Sequence, residues 1–498
     1  MKPSAYAELE TRFRRLGTLQ EALGVLHWDQ ATQMPEGGAV ARAEQLAGVK
    51  LVCHEIITDP TLPDLLDRAG TQNDLDSWQR ANLREMRRAW LHAASVPADL
   101  VEAFSKACTA CEMAWRKARP ADDFAAVKPA LQRVLDLTRE VAAAKAERLG
   151  KTPYDALLDQ YEPDASAAAI DAVFEPLARK LPALIDQALA AQARRAAPLP
   201  IAGPFPIAAQ RDAGMKLMAR LGFDFDHGRL DISAHPFCGG TPDDVRITTR
   251  YDEGDFRRAL MGVLHETGHA LYERGLPEAW RRQPVGDARG MSVHESQSLL
   301  IEMQVCRSRE FHQYAAPILR EVFHRGGAEW EAENLYRLNT RVERSLIRVD
   351  ADEVTYPGHV ILRYRLERAL LAGDLALDDL PQAWREAMRD LIGLVPQNDR
   401  EGCLQDIHWY DGAFGYFPTY TLGAMTAAQL FDAAKRADPA IERGIARGDF
   451  APLLAWLRAN VHGQASHLST PELISRATGR PLDPAVFERH LRARYLDP

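Results

Sequence analysis

The chain has 498 residues, 46% of them apolar and 26% charged, and a net charge of -9. That balance belongs to a folded, soluble chain and excludes intrinsic disorder. The 61 Lys and Arg residues form no basic tail or stripe, which excludes a nucleic-acid binder, while the length allows one large domain or two to three lobes.

The opening "MKPSAYAELETRFRRLGTLQ" carries charges where a secretory signal needs an apolar core, and no run reaches the roughly 18 apolar residues of a membrane span. The expectation is a cytoplasmic protein without a membrane partner. Six scattered cysteines read as free thiols. Cys108 and Cys111 have the C-x-x-C spacing but no second pair to complete a zinc site, and read as two small residues on one helix face.

From about residue 4 to 195 the apolar residues recur three and four apart, as in "VKPALQRVLDLTREVAAAKAERLG", which stops at Gly150. Within it, "LHWDQATQMPEGGAVARAEQLA" reads as helix, turn and helix. The stretch "ARRAAPLPIAGPFPIAAQR" holds four prolines and forbids a continuous helix. It sets a lobe boundary near 200, with residues 1–200 as an all-helical lobe and 201–498 as a second lobe. Short alternating runs between Gly and Pro turns over about 221–251 predict the one small sheet. From Asp255 onward the pattern is helical again, except for "QDIHWYDGAFGYFPTYTLG", which reads as an aromatic, Gly-rich loop. The fold class is therefore mainly α with one small sheet.

The chemistry begins at "GDFRRALMGVLHETGHALYERGLP", a helix that Asp255 can cap and that Gly275 and Pro277 end. At 3.6 residues per turn, His265 and His269 lie one above the other and can hold one ion, while Glu266 is turned away and can reach a bound water. The five-residue motif alone arises by accident in a few per cent of chains this long, so its context decides. A catalytic zinc takes three protein ligands. No third histidine stands at the short metzincin spacing, and a carboxylate in "GMSVHESQSLLIEMQVCRSREF" is the other solution. Glu295 is favoured because His294 and Gln297 flank it with polar groups; Glu302, set in "LLIEMQV", is a candidate for orienting a ligand.

The motifs "HPF" (235–237), "DVRIT" (244–248), "HETGH" (265–269), "HESQ" (294–297), "IRVDAD" (347–352) and "GCLQDIHW" (402–409) together resemble the carboxypeptidase Taq family, and "HWDQATQMPEGG" extends the resemblance to the N-terminal region. The resemblance implies a helical peptidase with a deep substrate groove, related to the neurolysin and angiotensin-converting-enzyme group and usually a homodimer. It implies release of single C-terminal residues from peptides with broad specificity, terminal proline being disfavoured, with Zn2+ as the metal and Co2+ able to substitute. It assigns His265, His269 and Glu295 as metal ligands and Glu266 as general base and acid. His408 and Tyr420, with Tyr416 as the competing tyrosine, are the oxyanion donors expected from the aromatic loop. A free terminal carboxylate calls for a guanidinium, and Arg348 is favoured, with Arg246 in a structural or supporting part and His235 lining or bracing the groove.

Two other readings share these residues. One is a zinc oligopeptidase that cuts inside short peptides, and the other is a helical binding protein whose zinc site is not catalytic.

Overall fold

The computed structural model describes residues 3–496. Among them are twenty α-helices and one three-stranded sheet. The helices begin and end where their sequences supply caps: Asp123 accepts from the Ala126 amide at the start of Phe124–Leu149, and Gly150 closes it at φ 64°. A left-handed residue at that position releases the chain from the helix, and glycine adopts it without steric cost.

The segment 196–206 between helices Ala167–Ala193 and Ile207–Leu221 is non-helical, as its prolines require. A small core of Leu9, Leu62, Leu66 and Met86 joins the first helices. The large core starts at Cys111 and runs across residue 200 to Tyr495, through Phe174, Leu217, Leu264 and Trp384.

The sheet comprises β1 (Gly228–Ile232), β2 (Cys238–Thr241) and β3 (Asp244–Thr249), in the order β1-β3-β2. β3 pairs parallel to β1 and antiparallel to β2. Val245 and Ile247, two apart and so on one face, pack with Val263 and Ala270 of the helix Phe256–Gly275. The sheet is thereby laid against the HETGH helix.

Two local features differ from the expectation. The aromatic loop ends at Phe417, because Pro418 opens a helix, Pro418–Ala437, in which a missing amide and fixed φ suit the first turn; Tyr420 therefore stands on a helix. The HESQ helix, Met291–Leu299, continues without a break into a π-helix, Leu300–Cys306, so Glu302 sits on a widened turn of a kind that recurs at functional sites. All six cysteines are free, and Cys108 and Cys111 share the helix Ala98–Ala121. No helix among the described residues is long and apolar enough to cross a membrane.

Candidate functional site

Asp255 caps the HETGH helix by accepting from the Arg257 amide at 3.0 Å, and the helix runs from Phe256 to Gly275. The residue between the two histidines' turns is Gly268, and a Cβ there would stand 2.6 Å from Ser298 Cα and collide with Gln297 O. Glycine is what lets the HESQ helix lie directly across the histidines. On its other side, a Cβ at Gly423 would stand 2.9 Å from both Cβ and Cγ of Glu295. Glu295 is thus pinned between two close helix approaches.

The result is that donor atoms of His265, His269 and Glu295 all lie within 4.8 Å of one another. Glu295 Oε2 is 3.9 Å from His265 Nε2 and 3.5 Å from His269 Nε2. Two donors on a tetrahedral zinc are about 3.4 Å apart at ordinary bond lengths, so the residues present fit a divalent metal. His265 Nδ1 is already held at 3.0 Å by Glu302 Oε2, which leaves Nε2 for an ion. Glu302 in turn takes Arg307 Nη2 at 2.7 Å. Beside His269, at a ring separation of 4.5 Å, His294 holds Glu273 at 2.7 Å.

The electrostatics favour a cation. Burial works against a charged His265, yet the carboxylates of Glu295, Glu266 and Glu302 outweigh it and push the pKa up to about 10. Burial pulls His269 down to about 4, keeping it neutral and free to ligate. Burial also opposes the Glu295 anion, but His265 and His269 overcome it and hold the carboxyl at about 2. Glu266 is buried one position from His265, and burial, with Glu295 and Glu302 adding to it against His265, raises it to about 7. A carboxyl at that value can both accept and return a proton near neutrality.

Arg348 is buried, at 7% exposure. Its Nε and Nη2 donate to Asp406 Oδ1 at 3.1 and 2.8 Å, and the opposite oxygen of Asp406 takes Arg363 Nε at 2.6 Å. Two buried guanidiniums share one carboxylate, a surplus of one positive charge. Asp406 occupies the Nε side, and the Nη1 end of Arg348 has Tyr356 OH as its partner at a long 3.4 Å. The guanidinium also rests 4.8 Å above the Tyr420 ring.

His408 Nε2 is 3.2 Å from Tyr420 OH, and the Tyr416 ring is 5.2 Å from that of Tyr420. Burial, then the nearby Arg348, lowers His408 to about 4, so its ring is neutral and offers a hydrogen bond without a charge. Burial raises Tyr420 to about 12, which keeps its hydroxyl protonated.

Arg246 and His235 belong to the small sheet and its turns. Arg246 pairs with Asp244 at 2.6 Å and stacks 4.1 Å over the Trp28 ring, which ties the helix Ala5–Thr32 to β3. His235 is exposed in the turn between β1 and β2, where its carbonyl accepts from Ser233 Oγ. Sequence reasoning passed over Asp406, Arg363 and Tyr356. Asp406 stood inside the quoted "GCLQDIHW", and Arg363 is a charged residue among apolar neighbours in "HVILRYRL", a pattern that asks for a buried partner.

The profile of the family described as Carboxypeptidase Taq (M32) metallopeptidase matches residues 8–495. Thermostable carboxypeptidase 1 of Thermus thermophilus is 40% identical over 511 residues, covering 99% of both chains. Thermostable carboxypeptidase 1 of Pyrococcus furiosus is 34% identical over 494 residues, covering 98% of both. The solved structure titled Trypanosoma cruzi metallocarboxypeptidase 1 superposes with a TM-score of 0.97 at 42% identity, covering 99% of each chain.

Proposed function

The chain belongs to the carboxypeptidase Taq (M32) metallopeptidase family and is a metallocarboxypeptidase, a peptide hydrolase, and from that premise we propose that it releases single C-terminal residues from peptides at a zinc site formed by His265, His269 and Glu295. The observation that carries this reading is the meeting of those three donors within 4.8 Å, next to a buried Glu266. A bound divalent metal supplies a Lewis acid and an activated water. Zinc is the proposed ion, with cobalt able to replace it.

Glu266 accepts the proton of the attacking water and returns it to the departing amine nitrogen. Its burial one position from His265 supports that role. Tyr420 and His408 donate O–H and N–H to the oxygen on which charge develops, and their mutual distance of 3.2 Å lets them converge on one atom. Tyr420 is preferred to Tyr416 because it joins His408 to Arg348.

Arg348 receives the terminal carboxylate through its Nη1 end, and the surplus positive charge over Asp406 supports that role. Arg246 braces the sheet against the helix that carries Trp28. His235 is assigned to the groove margin. Residues 1–200 form one wall of the groove and 201–498 the catalytic lobe, with terminal proline disfavoured and a cytoplasmic homodimer as the working state, in keeping with the family resemblance.

Product mass spectrometry on an unblocked peptide tests the reading. Successive loss of single C-terminal residues is expected, and internal fragments would overturn it in favour of an oligopeptidase.

A further inference from the structure

The π-helix that carries Glu302 ends in an unusual way. The Arg307 and Ser308 amides both turn to Val305 O, so neither serves the carbonyls of Met303 and Gln304. Terminal helix carbonyls need donors from elsewhere. They come from the last helix, Pro484–Tyr495: Arg494 Nη1 donates to Met303 O, and Nη2 donates to Gln304 O at 3.1 Å. Arg494 Nη1 also reaches Glu353 Oε2 at 3.1 Å.

Glu353 fastens the same joint from a third direction. Its carboxylate takes Gln304 Nε2 of the π-helix at 3.0 Å, together with His490 Nε2 at 2.7 Å and Tyr495 OH at 2.9 Å from the last helix. Glu353 lies five residues beyond Arg348 in the chain. The last helix therefore grips the widened turn whose Glu302 holds His265 Nδ1.

We propose that Arg494 is a positioning residue for the metal site: by holding the Met303 and Gln304 carbonyls it fixes the π-turn, and through Glu302 it fixes the ring of His265. The physical reason is that the last carbonyls of the π-turn, on Met303 and Gln304, take their donors from Arg494, outside the turn itself. A ligand's orienting partner is worth about 10- to 100-fold in metal affinity. Loosening that partner from behind falls at the lower end of the range. The inference rests on the reading of His265 as a ligand.

The test is zinc affinity, measured by competition with a chromogenic chelator, for the parent, Arg494→Met, Arg494→Lys and Leu66→Ala. Leu66 is fully buried in the separate small core and serves as a control for lost stability. Arg494→Met is expected to weaken zinc binding about tenfold, with Arg494→Lys intermediate, because lysine keeps a donor but not the fork. Leu66→Ala is expected to bind zinc like the parent while melting earlier. An affinity for Arg494→Met within twofold of the parent, or an equal loss in Leu66→Ala, overturns the proposal. If Arg494→Met does not fold, unchanged affinity in Arg494→Lys overturns it equally. His265→Ala is measured alongside: if it binds zinc as the parent does, the assignment of the ligand has failed, which is a separate result from any outcome at Arg494.

Discussion

Replacing Arg348 with Met removes one of two cations from the carboxylate of Asp406 and takes the buried group from a net charge of plus one to zero. Asp406 keeps Arg363 Nε at 2.6 Å, so no buried charge is left alone and the fold should survive. What is lost is the Nη1 end, where the one existing contact is the long 3.4 Å approach of Tyr356 OH. A hydrogen bond between charged groups is worth about 1.5 to 3 kcal/mol. With the surplus charge behind it, a loss of about 2 to 3 kcal/mol is expected, or roughly 30- to 150-fold in kcat/KM. The assay is a cycle in which the parent and Arg348→Met each act on one peptide in its free-acid and C-terminally amidated forms. Removing the carboxylate from the substrate should make the two enzymes nearly equal, and the coupling between the two changes should approach 2 kcal/mol or more. A coupling below about 0.5 kcal/mol, with both peptides cleaved equally by the parent, would refute carboxylate recognition at Arg348.

Other parts of the structure make separate demands. Gly268→Ala puts a methyl group 2.6 Å from Ser298 Cα and should cost about 1 to 3 kcal/mol as overpacking; calorimetry and chelator competition should show a lower melting temperature and weaker zinc binding together. Glu302→Gln removes the charge that holds His265 Nδ1 and should weaken zinc 10- to 100-fold, read by the same competition. Metal added to stripped protein should stabilise the fold by about 2.7 kcal/mol at a hundredfold excess over Kd, read as a melting temperature that rises with metal concentration, and His269→Ala should abolish that rise. Glu367 is fully buried, and burial lifts its carboxyl to about 7 against the hydrogen bonds from Tyr154 and Trp409. Because the folded value lies above the unfolded one, its contribution is complete below about pH 4.5 and is lost as pH rises through about 7. The melting temperature should fall across that window, and Glu367→Gln should flatten the fall; an unchanged profile in the variant would refute the assignment.

The HETGH helix was readable end to end, because its cap, periodicity and Gly stop are local signals: Asp255, Phe256 and Gly275 stand where the pattern puts them. The sheet, expected over about 221–251, runs from Gly228 to Thr249, since its Gly and Pro turns bound it in sequence. Pro418 misled, because a proline after an aromatic run reads as a loop although it equally starts a helix. The π-turn under Glu302 has no sequence signature, since its register is set by Arg494 and Glu353, which lie far along the chain. The Asp406 bridge is hidden similarly, with Arg348 and Arg363 58 and 43 residues away. Arg246 touches Trp28 and Asp244, and the first of these comes from the far end of the chain, which spacing cannot reveal.

In the proposed reaction Glu266 moves the proton at a metal held by His265, His269 and Glu295. Glu266→Gln, compared with the parent for zinc content and peptide hydrolysis on the same preparation, tests it most directly. One zinc per chain should be retained and turnover reduced by about 100-fold or more. Turnover near the parent's with zinc bound would contradict it.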